Sequence, residues 1–356
     1  MLELQQRKLL EQVDVISGVS GGTLPAVYYG LGEKAGAFTD QSLREALGYD
    51  FQSSWIRRWF LPQNIFRYWL SDFTRSDIMV QVFNNRLYHE ATFEDLIPHP
   101  KILLNATIHN DNTRFTFTDE RFASLHSVLA RYHVANAVNA SSAFPGAFQD
   151  VTLQWYMEPP QYLHLYDGGP IDNLGVQAVV EYLNRNVLGT SLDQLFPNGC
   201  VFFVIDSTPA SEHPELTTVQ SSRTFVDYFV DTNALDAMDA MLMESRRSLL
   251  RNMGFPGGRQ DQEMRGRLPV NDPNQCGCEV RHIALRQLLY IGESSDPELA
   301  ERVTQIKTKF RLAKEEQDDL YYAARVLTNL MEDQQLLSDS SFKVPCQNEP
   351  APKPVS

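Results

Sequence analysis

The chain has 356 residues, 43% of them hydrophobic, and its 31 Lys and Arg against 45 Asp and Glu give a formal net charge of −14. That size supplies a core for one large domain or two modest ones. The acidic balance excludes broad nucleic-acid binding and whole-surface attraction to anionic membranes, though not a local basic patch.

Residues 1–11 are predicted helical, 13–17 a buried strand and 21–29 a helix ending at Gly30. Thr39 suits the N-cap of a helix through Leu47. Residues 51–75 read as irregular and aromatic-rich, and Ser76 as the cap of a helix from Asp77 to Tyr88. KILLNATI (101–108) and TRFTFT (113–118) are predicted partner strands around the turn residues NDN. A helical stretch then ends near NASSAFPGAF, followed by a strand at 162–166, a helix at 174–187 and CVFFVID (200–206) as a strand buried on both faces. Long helices are predicted over 223–252 and 297–332, with a strand at 279–285 between them. Residues 254–278 read as a polar surface loop.

Strands alternate with helices throughout, which predicts an α/β fold: a three-layer α/β/α sandwich with a mostly parallel central sheet. No internal repeat or linker divides it, so residues 1–339 read as a single domain with an insertion around 51–75. The Pro- and Ser-rich 340–356 reads as a disordered tail. Cys200, Cys276, Cys278 and Cys346 fit neither a redox pair nor a zinc knuckle and are expected as free thiols. No run of eighteen or more apolar residues predicts a transmembrane helix, and the polar start MLELQQRKLLEQ does not read as a signal peptide. The compartment stays open.

The most informative stretch is VDVISGVSGGTLPAVYYG, from residue 13. Gly18-Val19-Ser20-Gly21-Gly22 fits G-x-S-x-G with an apolar strand before it and a helix after it, the context of a nucleophile elbow. Gly18 and Gly22 would let strand and helix approach closely, and N–H groups at the helix start would favour negative charge near the serine. A phosphate-binding loop lacks its lysine and glycine spacing here; a purely structural turn is the other alternative. A serine nucleophile needs a base. Asp167, in YDGGPIDNLG, stands at the carboxyl end of a predicted strand as Ser20 does, and Gly168 and Gly169 would allow another backbone to approach. Asp-Gly at a strand end is also an ordinary turn former.

Together ISGVSGG, NAT (105–107), NASSAFPGAF (139–148) and YDGGPIDNLG (166–175) resemble the patatin-like phospholipase family over roughly the first half of the chain. The resemblance implies a three-layer α/β/α fold and a Ser–Asp dyad, with Ser20 as nucleophile and Asp167 as base. It implies hydrolysis of lipid acyl esters through an acyl-enzyme with no metal or organic cofactor. No well-placed histidine is offered: His213 falls in a polar loop and His282 in a strand pattern. The family's glycine-rich oxyanion loop precedes the elbow, and residues 1–12 contain nothing like it, so the fold is expected to be N-terminally truncated and activity reduced. Two other readings stay open: an α/β-hydrolase with a Ser–Asp–His triad, and a catalytically silent lipid-binding protein.

The segment SSWIRRWFLPQNIFRYWLSDFTR holds Trp55, Trp59 and Trp69 interleaved with Arg57, Arg58, Arg67 and Arg75. Aromatics beside arginines suit a lipid headgroup boundary, so this stretch reads either as a lid or peripheral membrane-contact face or as a packed insertion whose arginines reach water.

Overall fold

The computed structural model describes residues 1–34, 38–146, 148–186, 191–208, 232–255, 262–270, 277–290, 298–306 and 309–337. In chain order the helices are α1 (Leu2–Gln6), α2 (Thr23–Gly30), α3 (Asp40–Leu47), α4 (Phe51–Trp59), α5 (Pro62–Leu70), α6 (Arg75–Phe83), α7 (Asp119–Ser124), α8 (Val134–Ser141), α9 (Gly169–Asp172), α10 (Val176–Asn186), α11 (Leu192–Leu195), α12 (Thr232–Asn252), α13 (Leu299–Thr304) and α14 (Lys314–Asp333). The strands are β1 (Val15–Val19), β2 (Lys101–Ile108), β3 (Thr113–Thr116), β4 (Val151–Trp155), β5 (Gln161–Asp167), β6 (Val201–Asp206), β7 (Arg265–Pro269) and β8 (Gly277–Ala284). The chain divides into two compact units, Met1–Ala178 with His213–Arg246 and Thr308–Gln317, and Val179–Glu212 with Arg247–Lys307 and Asp318–Ser356.

The first unit is built on a mixed sheet of β1–β5. β1 is parallel to β2, whereas β3 and β5 are antiparallel to β2 and β4 is antiparallel to β5. The expected mostly parallel sheet is therefore corrected. The β2–β3 and β4–β5 connections are too short for a crossover and can join only antiparallel neighbours. Along β2 the side chains alternate: Ile102, Leu104, Ala106 and Ile108 enter the main core with Val27, Phe83, Phe117 and Val138. Leu103, Asn105 and Thr107 take the opposite face and are equally buried.

Local chemistry sets the helix ends. Thr39 accepts from the Ser42 N–H at 3.2 Å, as its sequence position suggests. Thr74, not Ser76, starts α6 through a capping box with Asp77. The Ser76 hydroxyl instead donates to the Gln149 carbonyl at 2.5 Å. Residues 51–75 are not irregular. Asp50 caps α4 by accepting from the Ser53 N–H at 2.8 Å, and Pro62 opens α5 at a position where its missing N–H costs nothing.

The second unit carries the sheet β6–β8–β7, with β6 parallel and β7 antiparallel to β8. β6 is an edge strand among the described residues, so Ile205 is exposed rather than buried. β7 lies within the stretch read as a polar loop. Register places Val201 beside Glu279, and the preceding Cys200 and Cys278 form a disulfide with Cα atoms 4.7 Å apart. That corrects the expected free thiols for this pair; Cys276 and Cys346 lie outside the described residues, as do His213, 223–231 of the predicted long helix and the tail from 340. The predicted helix 297–332 is interrupted: α13 and α14 are separate. No helix among the described residues is long and apolar enough to cross a membrane.

Candidate active site

Asn105 and Ala106 of β2 organise the site. Asn105 pairs with Val19 of β1 and with Thr116 of β3, while Ala106 pairs with Phe115 of β3 and with Asp167 of β5. A strand has two edges, and β3 occupies one of them at both residues. β1 and β5 must therefore share the other edge. They run toward each other along it, and their carboxyl ends meet at consecutive β2 residues. Both were expected at carboxyl ends of strands in a mostly parallel sheet; the two strand ends meet head-on instead. This arrangement brings together residues separated by 147 positions: the Ser20 hydroxyl donates to Asp167 Oδ2 at 2.8 Å.

The head-on junction breaks the β-ladder, and side chains and loop carbonyls partner backbone groups on both sides of it. The Ser20 N–H donates to Ser141 Oγ at 2.9 Å, and that hydroxyl donates to the Asn105 carbonyl at 2.5 Å. Asn105 Nδ2 donates to Ser17 Oγ at 2.8 Å and to the Gly18 carbonyl at 3.2 Å, and its Oδ1 accepts from the Thr116 hydroxyl at 2.9 Å. The Thr107 hydroxyl donates to the Asp167 carbonyl at 2.8 Å, and the Asp167 N–H donates to the Ala143 carbonyl at 3.1 Å. Ser141, Asn105 and Thr107 are fully buried. No role was read for them from sequence. The available signal was that all three fall within the NAT and NASSAFPGAF stretches.

Ser20 has φ 50°, a left-handed conformation that a non-glycine residue seldom adopts. Such strain costs about 1–3 kcal/mol and persists only where the surroundings hold it. Here the Ser141 hydroxyl holds the amide, while the Thr23 hydroxyl donates to the Ser20 carbonyl at 2.6 Å. Gly18 meets the expectation of a close approach, since a Cβ there would come within 2.9 Å of Thr23 Cα. Gly22 does not: both Gly21 and Gly22 are exposed and face open space. At Gly168 a Cβ would lie 2.4 Å from the Asn105 carbonyl oxygen, so only glycine lets the chain pass the junction.

Asp167 is buried, and burial pushes its carboxyl up from 3.8 to about 6. Two hydrogen bonds oppose that shift, one from the Gly169 N–H to Oδ1 at 2.8 Å and one from Ser20 to Oδ2. Each carboxylate oxygen is thereby aimed. Asp172 serves the scaffold: buried, it accepts from the N–H groups of Gln177 and Ala178 at 3.1 and 2.9 Å at the start of α10. Among the described residues no histidine hydrogen-bonds Ser20 or Asp167. His282 is buried in the second unit with Nε2 3.1 Å from Asp206 Oδ2. No group of three or more His, Cys, Asp or Glu among the described residues is placed to hold a metal ion.

The aromatic stretch separates into two kinds of residue. Trp55 is half-buried, its Nε1–H donating to the Arg75 carbonyl at 2.9 Å and its ring 5.2 Å from Phe148. Trp59 and Arg58 are half-buried, with the Arg75 guanidinium 5.6 Å from the Trp59 ring. Arg57 and Trp69 are exposed.

A buried carboxylate held near neutrality and aimed at a hydroxyl on a strained turn can take that hydroxyl's proton as the oxygen attacks an electrophile. A family model described as Patatin-like phospholipase matches residues 2–180, just over half of the chain. No curated protein matches it.

Proposed function

Because the chain belongs to the patatin-like phospholipase family, whose membership points to a lipid-acting hydrolase, we propose that it is a serine acyl hydrolase cleaving lipid acyl esters through Ser20 and Asp167. The observation that supports this reading most is the 2.8 Å hydrogen bond from Ser20, at φ 50°, to a buried carboxylate. Ser20 Oγ attacks the ester carbonyl carbon while its proton passes to Asp167 Oδ2. The tetrahedral intermediate collapses, the C–O bond to the alcohol breaks, and Asp167 returns the proton to the leaving oxygen. Water then attacks the acyl-Ser20 ester, Asp167 again accepts a proton, and the acid leaves as Ser20 is reprotonated. The Ser20 N–H is committed to Ser141, so the oxyanion donor is assigned to the N–H of Gly21, the next residue of the turn, which is exposed and where even an added Cβ would meet no neighbour. A base with a pKa of about 6 is ionised at neutral pH and still basic enough to be useful.

Turnover of a short-chain activated ester tests this. Ser20→Ala and Asp167→Ala are each expected to remove nearly all activity, and the double variant to lose little more, because residues that act as one unit are strongly non-additive. An Asp167→Ala protein with near-wild-type turnover would remove Asp167 from the mechanism. Inactive wild-type protein that still binds lipid would favour a silent lipid-binding role.

A further inference from the structure

α5 is a helix without a core. Of its nine residues only Asn64 is buried, and Asn64 ties it to α4 by donating from Nδ2 to the Arg58 carbonyl at 2.8 Å. Ile65, Phe66, Trp69 and Leu70, whose i, i+3 and i+4 spacings form one stripe, are all exposed. Phe66 and Trp69 stand 66% and 77% exposed and Leu70 79%, and Phe60 in the turn between the helices is 65% exposed. Soluble surfaces scatter single apolar residues, but a contiguous patch of large ones marks an interaction surface. On its inner side α4 is anchored: Phe51 is buried and Trp55 packs on Phe148. The hairpin is thus a firmly held platform presenting an apolar stripe outward.

Its charge runs opposite to that of the rest of the chain. From Phe51 to Ser71 there is no Asp or Glu and there are three arginines, in a chain whose net charge is −14. Arg57 and Arg67 are exposed and Arg58 half-exposed. A second copy meeting this face with its own would set arginine against arginine, because 51–71 has no carboxylate to answer them. An interface of lipid phosphates over acyl chains would use the arginines and the bare aromatic stripe together.

We propose that the α4–α5 hairpin docks this protein on an anionic lipid surface, with Phe60, Phe66, Trp69 and Leu70 entering the headgroup boundary and Arg57, Arg58 and Arg67 meeting lipid phosphates. The assignment rests on the reading of Ser20 and Asp167 as a lipid-ester site, for which it supplies the means of reaching aggregated substrate. It moves the contact from Trp55 and Trp59, which pack inward, to the exposed residues of the turn and α5.

Co-sedimentation of the full chain with vesicles of phosphatidylcholine, alone or mixed with phosphatidylserine, tests it, with short-chain ester turnover and circular dichroism as parallel readouts. The wild type is expected to partition onto mixed vesicles more strongly than onto neutral ones, and less so at high salt. Phe66→Ser with Trp69→Ser should weaken partitioning at least about tenfold. Arg57→Gln with Arg58→Gln should weaken it about fivefold per arginine on mixed vesicles only. Both variants should keep wild-type folding and soluble-ester turnover. A wild type that does not bind mixed vesicles, variants that bind as it does, or a dimer lost in place of vesicle binding would each overturn the docking face. Those results with soluble turnover intact leave the hydrolase reading standing, and vesicle binding without Ser20-dependent turnover does the reverse.

Discussion

Burial holds the Asp167 carboxyl in a position that costs stability at neutral pH, and the proposed mechanism uses it there as a base. In the folded chain its carboxyl titrates at about 6, against 3.8 ordinarily, because burial disfavours the charge. As pH rises from 3.8 to about 6 the unfolded chain releases this proton while the folded chain keeps it, so stability falls through that window. Above it the full penalty applies, about 3 kcal/mol for a shift of about two units. Asp167→Asn keeps an oxygen for the Gly169 N–H and removes the charge. The variant is expected to be inactive yet to melt higher than wild type above pH 6, with the difference disappearing near pH 3.8. Thermal unfolding followed across pH checks this, and an Asn variant that is less stable at neutral pH would show that burial is not what sets the aspartate's charge.

At the scale of elements, the site depends on a gap in a β-ladder that Ser141 closes. Its hydroxyl joins the Ser20 N–H to the Asn105 carbonyl, linking β1, β2 and the end of α8. Ser141→Ala leaves both backbone groups without that partner, at a cost of about 1–3 kcal/mol each if water does not replace it. It should also lower turnover, because the strained Ser20 loses a restraint, while Ser141→Thr recovers part of both. Denaturant unfolding and ester turnover measured together check this, and unchanged values in Ser141→Ala would show that the bridge carries neither load. The serine corner was legible in sequence because an elbow is a local signal: strand, glycine, serine, glycine, helix. The head-on meeting of β1 and β5 was not, since pairing between distant strands leaves no periodicity to read. For the same reason the Cys200–Cys278 bond, spanning 78 residues, escaped a reading based on local cysteine spacing. The α4–α5 hairpin was missed when residues 51–75 were read as irregular, although Pro62 at the first position of a helix is a start signal.

For the whole molecule, the site and the hairpin both belong to the first compact unit, and the family match covers nearly the same stretch from residue 2 to 180. The acidic charge lies elsewhere in the chain and leaves 51–71 free of Asp and Glu. Ser20 and the exposed stripe of α5 are therefore carried by one compact unit, which suits the proposed hydrolysis of an ester at a lipid surface. Whether Asp167 activates Ser20 as a nucleophile is decided by covalent trapping with a fluorophosphonate followed by peptide mass spectrometry. The expected result is a single adduct on the peptide containing Ser20, none in Ser20→Ala, at least about a hundredfold slower labelling in Asp167→Asn, and a wild-type rate that falls as pH drops through about 6. An adduct on a different serine, or labelling of Asp167→Asn at the wild-type rate, would contradict it.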